Sequence, residues 1–283
     1  MTRPRPATSN LAAFAITLAL AAATPVAIAD TGDGVFESRG FSMPVASALA
    51  FRGKALIDKT DTIVVAISNG DFIADFFANF HDRRRAVQQR MSSPELAIVY
   101  LEFKPDGAYR GLSYYFGKNN GCGYCGGGVT STVKLVQGKL VGTLKMKDES
   151  RTMDVKLDVP ILSDDHGAPL PAGGGEPGVA YLAYHDALVK RDAKAVRSVM
   201  SKENGGYLDS ATKKGKADAE MRSMAKEHPE KSVRIVQGWS KGDRAVLVLA
   251  GESSVMRLAG EAVLVREGGR WRLDDELMEV VLQ

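Results

Sequence analysis

Hydrophobic and polar positions alternate most clearly near residue 155, where Met153, Val155, Leu157, Val159 and Ile161 are separated by Asp154, Lys156 and Asp158. A period of two sends one row of side chains into a core and the other into water, so this segment reads as a half-buried strand. Upstream, Thr62–Ser68 is rich in β-branched residues and stops at Asn69-Gly70, a turn pair. Leu96–Phe103, the turn Lys104-Pro105-Asp106-Gly107 and Ala108–Phe116 read as a hairpin. Val129–Val136, Gln137-Gly138 and Lys139–Lys147 read as a second. One short helix is predicted near Phe80–Met91. Several short antiparallel strands joined by turns predict a mainly-β sandwich or small barrel over residues 30–163.

The pattern breaks at residues 164–178, DDHGAPLPAGGGEPG, where eight of the thirteen residues from His166 onward are Gly or Pro. Such a stretch holds neither a helix nor a ladder well, and it reads as an interdomain linker, the alternative being a long surface loop in one domain. Beyond it the period becomes helical. Val179–Lys190 and Ala193–Met200 carry an apolar stripe of Tyr181, Tyr184, Leu188, Val196, Val199 and Met200, with Asp192 placed to cap the second helix. A third helix, Ala217–Glu227, ends at His228-Pro229. Four strands follow: Ser232–Trp239, Arg244–Glu252, Val255–Arg266 and Arg270–Val281, with Gly-containing turns at 241–243 and 267–269. Helices first and an antiparallel sheet afterwards predict an α+β domain over residues 179–283.

Two segments carry a resemblance, YLAYHDALVKRDAKAVRSVM (Tyr181–Met200) and GEAVLVREGGRWRLDDEL (Gly260–Leu277). The first resembles the opening helix, acidic break and second helix of the nuclear-transport-factor-2-like superfamily. The second resembles that superfamily's closing hairpin. The resemblance implies a cone fold, shared with ketosteroid isomerase, in which three helices rest on a curved antiparallel sheet around a pocket. It implies nothing as specific as a catalytic signature, because members include isomerases, dehydratases, binding modules and scaffolds. It also implies a homodimer through the sheet of this domain as one mode of assembly. The candidate pocket residues are Tyr184, His185, Tyr207 and Trp239.

At the amino terminus, Arg3 and Arg5 precede a run of 13 residues, Leu11–Ala23, apolar except for Thr17, and then Ala27-Ile28-Ala29 before Asp30. Basic start, short apolar run and A-x-A ending describe a signal peptide over residues 1–29, cut between Ala29 and Asp30. The run is too short to span a bilayer comfortably. No stable membrane insertion is expected after cleavage, and the expected destination is the periplasm or the medium. Composition adds little: 45% hydrophobic and 25% charged residues are ordinary globular values. The formal charge of +3 falls to +1 when Arg3 and Arg5 leave, 35 basic residues then facing 34 acidic ones, so no nucleic-acid partner is expected.

The sharpest chemical feature is the glycine-flanked pair Cys122 and Cys125. In an oxidising compartment it reads as a small disulfide stapling a loop. A redox role is the alternative, but a reactive thiolate needs a helix N-terminus, and here three glycines and a strand follow. The four histidines have no metal-ligand spacing, and P-loop, dinucleotide and nucleophile-elbow signatures are absent, so neither metal nor cofactor is expected. His81-Asp82-Arg83-Arg84-Arg85, with Arg90, predicts a solvated basic helix face, the alternative being a surface for anionic lipid. The sequence thus leads to an exported, non-enzymatic protein that binds a small apolar ligand or an envelope protein. The alternatives are an isomerase or dehydratase using the cone pocket, and a thiol–disulfide redox protein using Cys122 and Cys125.

Overall fold

The structure is a computed structural model and describes residues 32–38, 40–90, 95–116, 120–122, 127–226, 228–229, 232–253 and 256–280. The leader, its junction at Ala29 and Asp30, and Cys125 lie outside them. The protein is mostly β, with 49% strand and 24% helix in several antiparallel sheets. In chain order the elements are β1 (Gly32–Ser38), β2 (Phe41–Pro44), β3 (Ser47–Lys54), β4 (Asp61–Ser68), α1 (Ala74–Ala78), α2 (Arg83–Arg90), β5 (Ala97–Phe103), β6 (Tyr109–Phe116), β7 (Asn120–Cys122), β8 (Val129–Ser131), β9 (Lys134–Val136), β10 (Lys139–Lys147) and β11 (Arg151–Pro160). They continue with β12 (Ala168–Pro169), α3 (Gly175–Val189), α4 (Ala193–Val199), α5 (Gly206–Lys213), α6 (Ala217–Lys226), β13 (Ser232–Lys241), β14 (Arg244–Glu252), β15 (Arg257–Glu267) and β16 (Arg270–Val280).

The first sheet runs β2-β1-β11-β10-β8, with β9 also on β10, and the second runs β3-β4-β5-β6-β7. They share one core: Phe36, Leu144, Met153, Val155 and Leu157 from the first meet Val65, Ile67, Val99, Leu101 and Leu112 from the second. β11 keeps the predicted alternation, its apolar row inside and Asp154 and Lys156 outside. β4 and β5 do not alternate, because Thr62–Ser68 and all of Ala97–Phe103 are buried. Strands apolar on both faces must be covered on both. The second cover is α1, α2 and the link between them, whose Phe77, Phe80, Ala86 and Val87 pack on Phe51, Val64, Ala66, Ile98 and Tyr100. Each such buried large side chain contributes about 1.5–3 kcal/mol.

The third sheet, β12-β13-β14-β15-β16, follows the predicted hairpin order. One face lies under α3–α6, where Tyr181, Tyr184, Leu188, Val196 and Met221 meet Leu247, Leu249, Ala262, Leu264 and Leu273. The other face carries Val263 and Leu277 into the core built by α1 and α2. The chain is therefore layered, with two sheets, a thin helical layer, a third sheet and an outer helical layer.

Several elements differ from expectation. The Gly/Pro-rich strap is tied down: Ala168 and Pro169 pair with Ser240 and Trp239, a 3-10 turn forms at Ala172–Gly174, and α3 already starts at Gly175. Proline tolerates a strap edge and the first turn of a helix, where its missing N–H is not needed. Among the described residues four helices, not the expected three, cover the third sheet, since α5 was hidden in a polar segment. Likewise two short helices replace the single one near Phe80–Met91, and β1–β3 precede the first strand the pattern revealed.

Candidate functional site

Two places gather chemistry. The first is beneath α3. Helical spacing puts Tyr181, Tyr184, His185 and Leu188 on the buried side of α3, and a register shift in β16 between Leu273 and Asp275 turns Glu276 toward them. The Tyr181 hydroxyl donates to Glu276 Oε1 at 2.6 Å. Glu276 Oε2 meets His228 Nε2, and that imidazole lies 3.4 Å from the Tyr184 hydroxyl. Only 7% of the Glu276 side chain and 9% of that of His228 reach solvent. Burial, against the bonds from Tyr181 and Tyr184, pushes Glu276 up to about 8. Burial, assisted by His185, pulls His228 down to about 4. Burial thus favours the neutral forms of both groups, in which the carboxyl O–H donates to the imidazole. Among the described residues, Nδ1 of His228 and Nδ1 of His185 have no hydrogen-bond partner.

The second place is a cleft of about 920 Å³ where the second sheet, α2, the strap and the third sheet converge. Arg52, Lys54 and Lys59 come from β3 and the turn after it, Arg83 and Arg84 from α2, Asp164 and His166 from the strap, and Trp239 from β13. Its geometry is set by an interlock. Buried Glu261 of β15 accepts from the backbone N–H groups of His81 (2.8 Å) and Asp82 (2.9 Å), just where α2 begins. Those groups would otherwise be donors without partners at a helix entrance. The Glu261 bond also raises the His81 pKa. The His81 ring stacks on Trp239 with centroids 5.0 Å apart and planes 9° from parallel. His166 lies 5.9 Å from Trp239 and titrates low, chiefly through burial and then through Arg83 and His81.

The basic run does not form a solvated face. Arg83, with 1% of its side chain exposed, bonds Asp164 at 2.8 Å and the Ser163 carbonyl. Arg84 bonds Glu102 at 2.6 Å and covers the Tyr100 ring, and Arg85 bonds Glu279 of β16 at 2.6 Å. Each arginine therefore reaches a different element, which fastens α2 to the second sheet, the strap and the third sheet.

Of the four pocket residues expected from the sequence, Tyr184 and His185 fall together beneath α3, both buried. Tyr207 stands on α5, 39% exposed, its hydroxyl on Met224 Sδ at 3.0 Å. Trp239 lies on the opposite face of the third sheet and lines the cleft. Glu276 and His228 were missed. The run Asp274-Asp275-Glu276 inside a strand was the available signal, because alternation must send neighbouring acids to opposite faces. Cys122 ends β7, its backbone paired with Tyr114, while Cys125, with which a disulfide is expected, lies outside the described residues. Among the described residues no cluster of three or more His, Cys, Asp or Glu could hold a metal, and no helix is long and apolar enough to cross a membrane. No family model matches this chain, and neither does any curated protein.

Proposed function

We propose that this is an exported two-domain protein, a sandwich (residues 30–163) joined by the strap to an α+β cone (residues 179–283) of nuclear-transport-factor-2-like form, and that it binds a small ligand in the cleft between them. The reading is carried by the cleft itself, about 920 Å³ lined by both halves and the strap. That volume is at the upper end of the range of small-molecule sites. Native mass spectrometry of the full-length chain, exported and purified from a bacterial envelope, tests it. A Cβ at Gly53 would meet only ordinary contacts, Phe51 and Val64 at 3.9 Å, so Gly53→Trp can enter the cleft without a backbone clash. A co-purifying mass that Gly53→Trp loses supports the reading, and a mass retained unchanged by the variant overturns it.

A second reading, an enzyme moving protons in the cone, is favoured by Glu276 held protonated beside Tyr181 and His228. Active sites characteristically hold carboxyls with raised pKa values against tyrosines and imidazoles. Carbon-13 NMR of the Glu276 carboxyl tests it, with a midpoint near pH 8 expected. A midpoint in the ordinary carboxylate range overturns it.

A further inference from the structure

Resting on the reading that the cleft is the binding site, we propose that its ligand is a small amphiphile with one anionic head, a carboxylate or a phosphate ester, and an apolar body. The cleft has two kinds of wall. Phe51, Leu56, Ile63, Pro105 and Trp239 supply apolar surface. The charged lining is five Lys and Arg (Arg52, Lys54, Lys59, Arg83, Arg84) against four Asp (Asp61, Asp82, Asp164, Asp165).

Most of those charges already have partners. Lys54 meets Asp61, Arg84 meets Glu102, and Asp165 meets Lys241 at 2.7 Å. Arg83 takes Asp164 at 2.8 Å, which leaves Arg52 with the same carboxylate at 3.7 Å. One carboxylate thus serves two guanidinium groups, and the outer one is poorly satisfied. Among the described residues the Lys59 ammonium donates only to the Leu56 carbonyl, at 2.8 Å. Beneath them, Arg83 Nε is buried without a hydrogen-bond partner. Arg52 and Lys59 therefore keep donors for a ligand in a cleft that also presents the apolar surfaces of Phe51, Leu56, Ile63, Pro105 and Trp239. An anionic head completes them, while a cationic head would meet like charge. A fully apolar ligand would strip water from Arg52 and Lys59 and return nothing. A single charge is the better match, because the other three cations are matched internally.

The chain contains Trp239 in the cleft and Trp271 as its second tryptophan, so Trp271→Phe makes Trp239 the reporter. The probes are decanoate, decyl phosphate, decanamide and decyltrimethylammonium, used below their micelle concentrations and read by Trp239 emission in the otherwise full-length protein. Saturable binding of decanoate or decyl phosphate at least about tenfold tighter than decanamide is expected, together with weakening by salt. Whichever anion binds more tightly assigns the head as carboxylate or phosphate. Arg52→Ala with Lys59→Ala, both at exposed positions, is expected to lose about tenfold for the anions and to leave decanamide unchanged. Equal affinity for decanamide and the anions, or tighter binding of the cationic probe, overturns the anionic head while the cleft reading stands. Failure of every probe to move Trp239, with the co-purifying mass indifferent to Gly53→Trp, overturns the cleft reading itself.

Discussion

Replacing Glu276 by Gln separates two descriptions of the site beneath α3. Glutamine keeps the shape of a protonated glutamate, can accept from Tyr181 and can donate to His228 Nε2, but it does not titrate. In the folded protein Glu276 is pushed up to about 8 from an unfolded value of 4.5, so folding favours its protonated form. Stability from that preference is complete below pH 4.5 and is lost as pH rises through about 8. His228, pulled down to about 4 from 6.5, acts oppositely, withdrawing stability only as pH falls below 6.5. Between pH 6.5 and 8.5 the Glu276 effect therefore stands alone at this pair, and at about 1.4 kcal/mol per unit it removes about 2 kcal/mol. His81, whose pKa is raised by Glu261, also weakens the fold as pH rises, but equally in both proteins. Urea unfolding at pH 5.5, 6.5, 7.5 and 8.5 should show the Gln variant gaining on the parent steadily from pH 5.5 to about 8 and little beyond, with about 2 kcal/mol of that gain between pH 6.5 and 8.5. In melting temperature that is about 4–8 °C for a chain of this size. Parallel profiles would refute the neutral pair. So would a Gln variant about 3–5 kcal/mol less stable at pH 7, the signature of a broken buried ion pair.

Removing Arg83 with Ala leaves Asp164 and the Ser163 carbonyl without their buried donor and should cost about 3 kcal/mol in chemical denaturation, with Lys unable to restore a forked contact. Glu261→Ala strips the acceptor from two backbone N–H groups at the entrance to α2 and should cost about 2 kcal/mol, with faster hydrogen exchange at His81 and Asp82. Gly178→Ala would bring a Cβ within 1.9 Å of the Gly173 carbonyl oxygen, so the 172–174 turn must open and the melting temperature should fall. Thiol titration of exported protein should find neither Cys122 nor Cys125 free, and its intact mass should begin at Asp30; two free thiols would refute the staple.

The clearest strands and the helix-then-sheet order were readable because each depends on a short-range period. Met153–Ile161 alternates over water, and the α3 stripe repeats at three and four residues. What escaped was whatever depends on a second layer. TIVVAIS and AIVYLEF are too uniformly apolar for a sheet with one wet face, a hint that something covers both, yet the cover, α1 and α2, is short and carries RRRAVQQR with almost no amphipathic signal. Arg83, Arg84 and Arg85 looked solvated because their acids, Asp164, Glu102 and Glu279, lie 18 to 194 positions away. Glu276 was hidden for the same reason: its partners Tyr181 and His228 come from a helix and a loop that only the fold assembles.

The third sheet shows what that second layer does. Val263 and Leu277, on its face away from α3–α6, are buried under α1 and α2, Glu261 grips the start of α2, and Arg85 and Gln89 reach Glu279 and the Met278 carbonyl. The amino-terminal half covers this face of the third sheet within one chain. An intramolecular contact needs no association entropy beyond folding, so a modest interface suffices to hold it. Its incomplete edge, where the β3–β4 turn stands off from Trp239 and the strap, is the cleft. The same interlock that positions the two halves thus also sets the width of the proposed binding site, and Glu261→Ala, which loosens it, should weaken ligand binding although Glu261 itself does not line the cleft.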